Sequence, residues 1–126
     1  MRLTRSEEEI MMTLWMADKP LARYQIIEQS ENPSWKPSTI HILLNGLLEK
    51  GVIEEAGFVK RNKTYGRLYA PKISGEQYMA EKLFSGKNSK IVPMYFSALL
   101  HSDALTEEMV TEMEEMLARR KEELEG

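Results

Sequence analysis

The chain has 126 residues, 42% hydrophobic and 29% charged, enough for one domain or a small domain with an oligomerising appendage, and its lack of cysteine excludes disulfides and thiolate chemistry. No apolar run approaches the roughly 20 residues of a membrane span, and the N-terminus opens into a polar, acidic segment with no secretion signal, so a cytoplasmic protein is expected. The net charge of −3 is unevenly spread, +2 over residues 1–72 and −5 over 73–126, an asymmetry that suits a nucleic-acid reader with an acidic partner-binding half.

Thr4-Arg5-Ser6-Glu7 is a capping box, which supplies partners for the free N–H groups at a helix start. Behind it Ile10, Met11, Leu14 and Trp15 form one stripe of an amphipathic helix. Asp18-Lys19-Pro20 ends this helix, because proline disfavours helix in the residue before it. A second short helix is predicted over about 21–30, with Leu21, Tyr24 and Ile27 on one side. After the turn-rich connector 32–37, Pro37 fits the first position of a third helix, where its missing N–H costs nothing. That helix runs to Lys50, and Gly51 follows as its C-terminal stop. Ile40, Leu43, Leu44, Leu47 and Leu48 form its buried stripe, leaving Ser38, Thr39, His41, Ile42, Asn45 and Glu49 facing outward.

After Gly51 the pattern turns to β character. Val52-Ile53 leads into Phe58-Val59-Lys60, Arg61-Asn62-Lys63 makes a turn, and Tyr65, Leu68 and Tyr69 continue to Pro71. Lys60, Arg61, Lys63, Arg67 and Lys72 fall within thirteen positions that hold no acid, so this hairpin either meets a phosphate backbone or is a solvated basic loop. A second capping box, Ser74-Gly75-Glu76-Gln77, opens a helix to about Phe84, and 85–89 form a flexible break. Helix resumes after Pro93 through Tyr95, Phe96, Leu99 and Leu100. Thr106 caps a last helix with acids in its first turn and Arg119, Arg120 and Lys121 towards its end, matching the helix dipole. Met109, Val110, Met113, Met116, Leu117 and Leu124 are its apolar stripe.

The expected fold is mainly α with a small β-hairpin: an N-terminal winged helix-turn-helix over 1–73 and a C-terminal helical dimerisation region over 74–126. Nothing predicts an enzyme. His41 and His101 are far apart in sequence, no phosphate loop or nucleophile elbow accompanies them, and the acid runs Glu7-Glu8-Glu9 and Glu112/Glu114-Glu115 read as solvated helix faces. Neither a metal nor a cofactor is expected. The third helix carries more information, since its first turn brings small hydroxyl side chains to a helix N-terminus, where free N–H groups favour phosphate. Outward residues near the start of a recognition helix reach base edges; Asn45 and His41 can hydrogen-bond there, and Ile42 can meet a thymine methyl.

Leu3-Thr4, Glu9-Ile10-Met11, Leu14-Trp15, Trp35 to Ile40, Leu43 to Leu47, Lys50 to Ile53 and Gly66 to Pro71, in this order and spacing, closely resemble the penicillinase-repressor family of winged-helix repressors. The resemblance implies an N-terminal winged helix, a C-terminal dimerisation region and repression through palindromic operators. Gly46 stands where that family often has arginine, which implies one backbone or phosphate contact fewer. The wing, residues 51–71, is longer than is typical of the family. Members induced by antibiotic are cut at an Asn-Phe bond, to which Tyr95-Phe96 is the nearest match; copper-responsive members carry cysteine pairs, which this chain lacks.

The partners expected are therefore a double-stranded DNA operator, a second copy of the chain and an inducer of unknown chemistry, with no membrane. Ser38, Thr39, His41, Ile42 and Asn45 would enter the major groove, and Lys60, Arg61, Lys63 and Arg67 of the wing would contact the backbone. Tyr95, Phe96, Leu99, Met109, Val110, Met113, Met116 and Leu117 would form the subunit contact, since an appendage this short has little core of its own. The same stripe would also suit a different protein or a hydrophobic ligand between subunits. The competing function is a winged-helix protein–protein adaptor without sequence-specific DNA binding.

Overall fold

Local signals account for most element ends in the computed structural model, which describes residues 2–85 and 90–126 and divides the chain into two units, 1–81 and 82–126. Four residues of the expected flexible break, 86–89, lie outside the described residues. Helix α1, Arg5–Ala17, starts on the Thr4 capping box: Glu7 N donates to Thr4 Oγ1 at 3.2 Å, and Thr4 N donates to Glu7 Oε1 at 2.8 Å. It ends at Asp18, in the left-handed region at φ 56°.

The second helix is shorter than the sequence pattern suggests. Leu21 and Ala22 form strand β1, and helix α2 spans only Arg23–Gln29. The cause is tertiary: Leu21 pairs with Tyr69 and Ala22 with Leu68, which adds a third strand to the expected hairpin. Ala22, extended, also caps α2, its N–H donating to Gln25 Oε1 at 2.8 Å. The third helix begins as a 3₁₀ turn, Pro37–Thr39, and continues as α3, Ile40–Glu49. Gly51 at φ 72° closes it, with Gly51 N donating to Leu48 O and Val52 N to Leu47 O, the paired bonds of a Schellman stop.

Strands β2, Ile53–Arg61, and β3, Thr64–Pro71, form the antiparallel wing, and the sheet order is β1-β3-β2. Asn62 supplies the left-handed residue of the turn at φ 58°. The register breaks between Glu55 and Phe58, where Gly57 at φ 117° takes a conformation that a side chain would strain. Behind the sheet, Ile10, Met11, Leu14, Leu21, Ile26, Ile40, Leu44 and Leu47 are buried in one core.

Helix α4, Gly75–Phe84, contributes Tyr78 to that core. The Tyr78 ring lies 5.6 Å from Trp15, its hydroxyl donates to Glu8, and Trp15 Nε1 donates to Ile73 O at 2.8 Å. Gly75 permits this approach, since a Cβ there would come within 3.2 Å of the Trp15 ring. In the second unit, α5 spans Ile91–Leu100 and α6 Glu107–Glu125. Pro93 sits inside the first turn of α5, not ahead of it, a position where no helical N–H is needed. Thr106 caps α6 as expected, accepting from Met109 N at 3.2 Å. No residue of α5 or α6 is buried. Among the described residues no helix is long and apolar enough to cross a membrane.

Candidate nucleic-acid interface

The outward face of α3 is set by the burial of its other face. With Ile40, Leu44 and Leu47 in the core, helical periodicity leaves Ser38, His41, Ile42 and Asn45 exposed, and Ile42 retains 61% of its surface in water. Thr39 is half-buried and its hydroxyl donates to Lys36 O at 2.8 Å, which leaves only its oxygen lone pairs for a ligand.

Both ends of α3 are tied to α1, through acids that the sequence pattern assigns to a solvated helix face. That expectation fails for Glu7-Glu8-Glu9, because each carboxylate has a partner distant in sequence. Glu9 accepts from Ser34 N at 3.0 Å and Ser34 Oγ at 2.6 Å, fixing the connector that leads into α3. These bonds hold its carboxyl below the usual carboxylate range. Glu8 takes the Tyr78 hydroxyl. Glu7, only 5% exposed, accepts from Lys50 Nζ at 2.5 Å, and Lys50 is the C-terminal cap of α3. Burial alone would raise the Glu7 carboxyl, but the Lys50 hydrogen bond, the Thr4 bonds and the ammonium charge outweigh it and hold it low. By contrast Glu112, Glu114 and Glu115 on α6 are exposed.

Gly46 belongs to this tie. A Cβ there would meet Glu7 Oε2 at 3.1 Å, so the absence of a side chain at position 46 lets the α1 carboxylate approach α3.

His41 and Asn45 of α3 share a concavity of about 650 Å³ with Arg23, Tyr24 and Ile27 of α2 and Arg61, Thr64, Tyr65 and Arg67 of the wing. Four of the expected interface residues thus come together, while Lys60 and Lys63 are exposed outside its lining. The two arginines differ. The Arg67 guanidinium is paired with Glu55 at 2.9 Å, which offsets part of its charge. The Arg61 guanidinium lies 4.2 Å above the centre of the Tyr24 ring. Arg23, Tyr24, Thr64 and Tyr65 were not among the expected interface residues, and their one sequence signal is the interleaving of aromatic and basic residues.

On the second unit, Tyr95, Phe96 and Leu99 of α5 are 59%, 39% and 44% exposed. Met109, Met116 and Leu117 of α6 are exposed, and Val110 and Met113 are half-buried. The Tyr95-Phe96 bond lies in the middle of α5. Among the described residues no three acids or histidines converge as a metal would require, and His101 Nδ1 is bonded to Ser97 O at 2.7 Å.

Among solved structures, the zinc-responsive MarR family member ZitR of Lactococcus lactis is 20% identical, covering 98% of this chain and 78% of that chain with a TM-score of 0.46. Bacillus subtilis PadR in complex with operator DNA is 19% identical, covering 95% and 71% with a TM-score of 0.44. The comparison with curated proteins gave no match. The model of the penicillinase repressor family matches residues 3–119, nearly the whole chain and part of each unit. The chain therefore belongs to the penicillinase repressor family, whose winged-helix members are DNA-binding transcriptional repressors and not enzymes.

Proposed function

We propose that the protein represses transcription as a homodimer bound to a palindromic operator, with α3 in the major groove and the wing on the adjacent backbone. The carrying observation is the shared concavity, in which base-reading side chains of α3 (His41, Asn45) face the same opening as Arg61 and Arg67 of the wing. Helix side chains with hydrogen-bonding edges specify bases, and arginines beside them position the backbone. Ser38, Thr39 and Ile42 extend the reading face towards the helix start, and Lys60 and Lys63 extend the cationic face outward.

Dimerisation is supported by the second unit. Helices α5 and α6 bury none of their residues, yet Tyr95, Phe96, Leu99, Met109, Met116 and Leu117 are large apolar side chains in water. Exposed apolar surface of this kind fits an intersubunit contact. A second copy supplies the missing cover, and methionine adapts to its irregular surface.

The test is a binding titration against a duplex selected by the wild-type protein from a random-sequence pool. Asn45→Ala should weaken the selected site by roughly 1–3 kcal/mol and flatten discrimination between sequences. Lys60→Ala with Lys63→Ala should weaken all duplexes alike and lower the salt slope by about 2. Half-sites should repeat after about 10 bp or a multiple of it. Binding that ignores salt and sequence would support a protein–protein adaptor instead.

A further inference from the structure

The wing is joined to the helices by little sheet. Strand β1 pairs with β3 only at Leu68 and Tyr69, so the distal part of β3, Thr64 to Arg67, is bonded to β2 alone. A two-stranded ribbon is marginally stable by itself. The bulge between Glu55 and Phe58 adds a bend at its base, with Gly57 at φ 117°. Where the tip sits therefore depends on side-chain contacts with α2. One such contact is made by Arg61, the last residue of β2, whose guanidinium lies 4.2 Å above the Tyr24 ring centre.

We infer that Tyr24 is a positioning residue for DNA binding: its ring holds Arg61, so that wing and recognition helix meet one duplex at a fixed spacing. The inference rests on the DNA interface proposed above. A ring face attracts a cation through its quadrupole and uses none of the cation's N–H donors as a carboxylate does. Among the described residues no acceptor is bonded to the Arg61 guanidinium, so its donors remain for a phosphate. Arg67 differs, since Glu55 takes part of its donor edge. Tyr24 thus fixes the cation in place and leaves it competent to bind.

The variants are Tyr24→Leu, which keeps an apolar side chain without a ring, and Tyr24→Phe, which keeps the ring and loses the hydroxyl. A contact of this strength at an exposed site shifts the held population about two- to fivefold, and two wings on one operator compound it to about 4- to 25-fold. Tyr24→Leu should weaken binding to the selected duplex by that factor, and Tyr24→Phe should bind as the wild type does. In an Arg61→Ala background Tyr24→Leu should have no further effect, which a general packing role would not predict. Without DNA, trypsin should cut at Arg61 and Lys63 faster in Tyr24→Leu than in either Tyr24→Phe or the wild type. Equal cleavage in all three, a Phe variant as weak as Leu, or tighter binding by Tyr24→Leu would overturn the inference. A wild-type protein that selects no duplex from the random pool, with the cleavage difference intact, would overturn the DNA interface and leave the Tyr24–Arg61 clasp standing.

Discussion

Replacing Glu7 by Gln tests whether α1 anchors the recognition helix electrostatically. The carboxylate is 6% exposed at the side chain, accepts from Lys50 Nζ and from Thr4 N, and abuts the bare Cα of Gly46. Glutamine keeps the shape and the Thr4 bond but removes the charge opposite Lys50. Losing a charge-assisted bond to a buried group costs about 1.5–3 kcal/mol. Lys50 is 36% exposed, so water recovers part of this, and about 1–2 kcal/mol is the expected loss at pH 7. For a unit of this size that lowers the Tm by about 4–16 °C.

The two tryptophans, Trp15 and Trp35, both lie in the first unit, so their fluorescence during urea unfolding reports that unit. The pH dependence follows from the depressed carboxyl. The folded form favours the anion, so its contribution is fully present above the ordinary value of 4.5 and is lost as pH falls through the lower folded value. The gap between wild type and Glu7→Gln should be full at pH 7 and close progressively below about pH 4.5. With Lys50→Met added, the two losses should sum to less than their separate values, since each removes the same bond. A Gln variant as stable as wild type at pH 7, or a gap that stays constant into acid, would refute the anchoring argument.

Two further outcomes are expected. Met113→Asp with Leu117→Asp places charges on the apolar face of α6; sedimentation should show a monomer whose operator affinity falls by about 10²-fold as the second half-site is lost, while the first unit's unfolding is unchanged. Tyr78, pushed up to about 12 by burial and then by the Glu8 hydrogen bond and nearby carboxylates, should ionise late in an absorbance titration. Its stabilising share is complete below the ordinary 10.0 and disappears as pH rises through about 12, and Tyr78→Phe should abolish the late step.

Much of the fold was legible because the signals that begin and end helices are local. The capping residues Thr4 and Thr106 act within one turn, Gly51 stops α3 by its own φ, and the apolar stripe of α3 decides which of its residues face water. Those are backbone and periodicity effects, written within a few residues of where they act. The family could be recognised for the same reason, through short runs in a specific order.

Contacts between distant segments followed other rules. A strand of two residues has no period to detect, and Leu21 and Ala22 leave the helix only because Leu68 and Tyr69 offer them hydrogen bonds. The acidic run at Glu7 to Glu9 looks solvated as a string, since charge alone predicts exposure. Folding gives its members Lys50, Tyr78 and Ser34 as partners, which offsets the desolvation of Glu7. Position 46 lies against Glu7 because the helix rotates it towards α1, a placement that no local pattern announces. Arg61 and Arg67 are alike in sequence, yet one met an aromatic face and the other a carboxylate. Residue types and local spacing set which elements form and which faces are apolar. Which charges are neutralised and which remain for a ligand was decided only when distant segments were brought within a few ångströms, where hydrogen bonding and burial replace water.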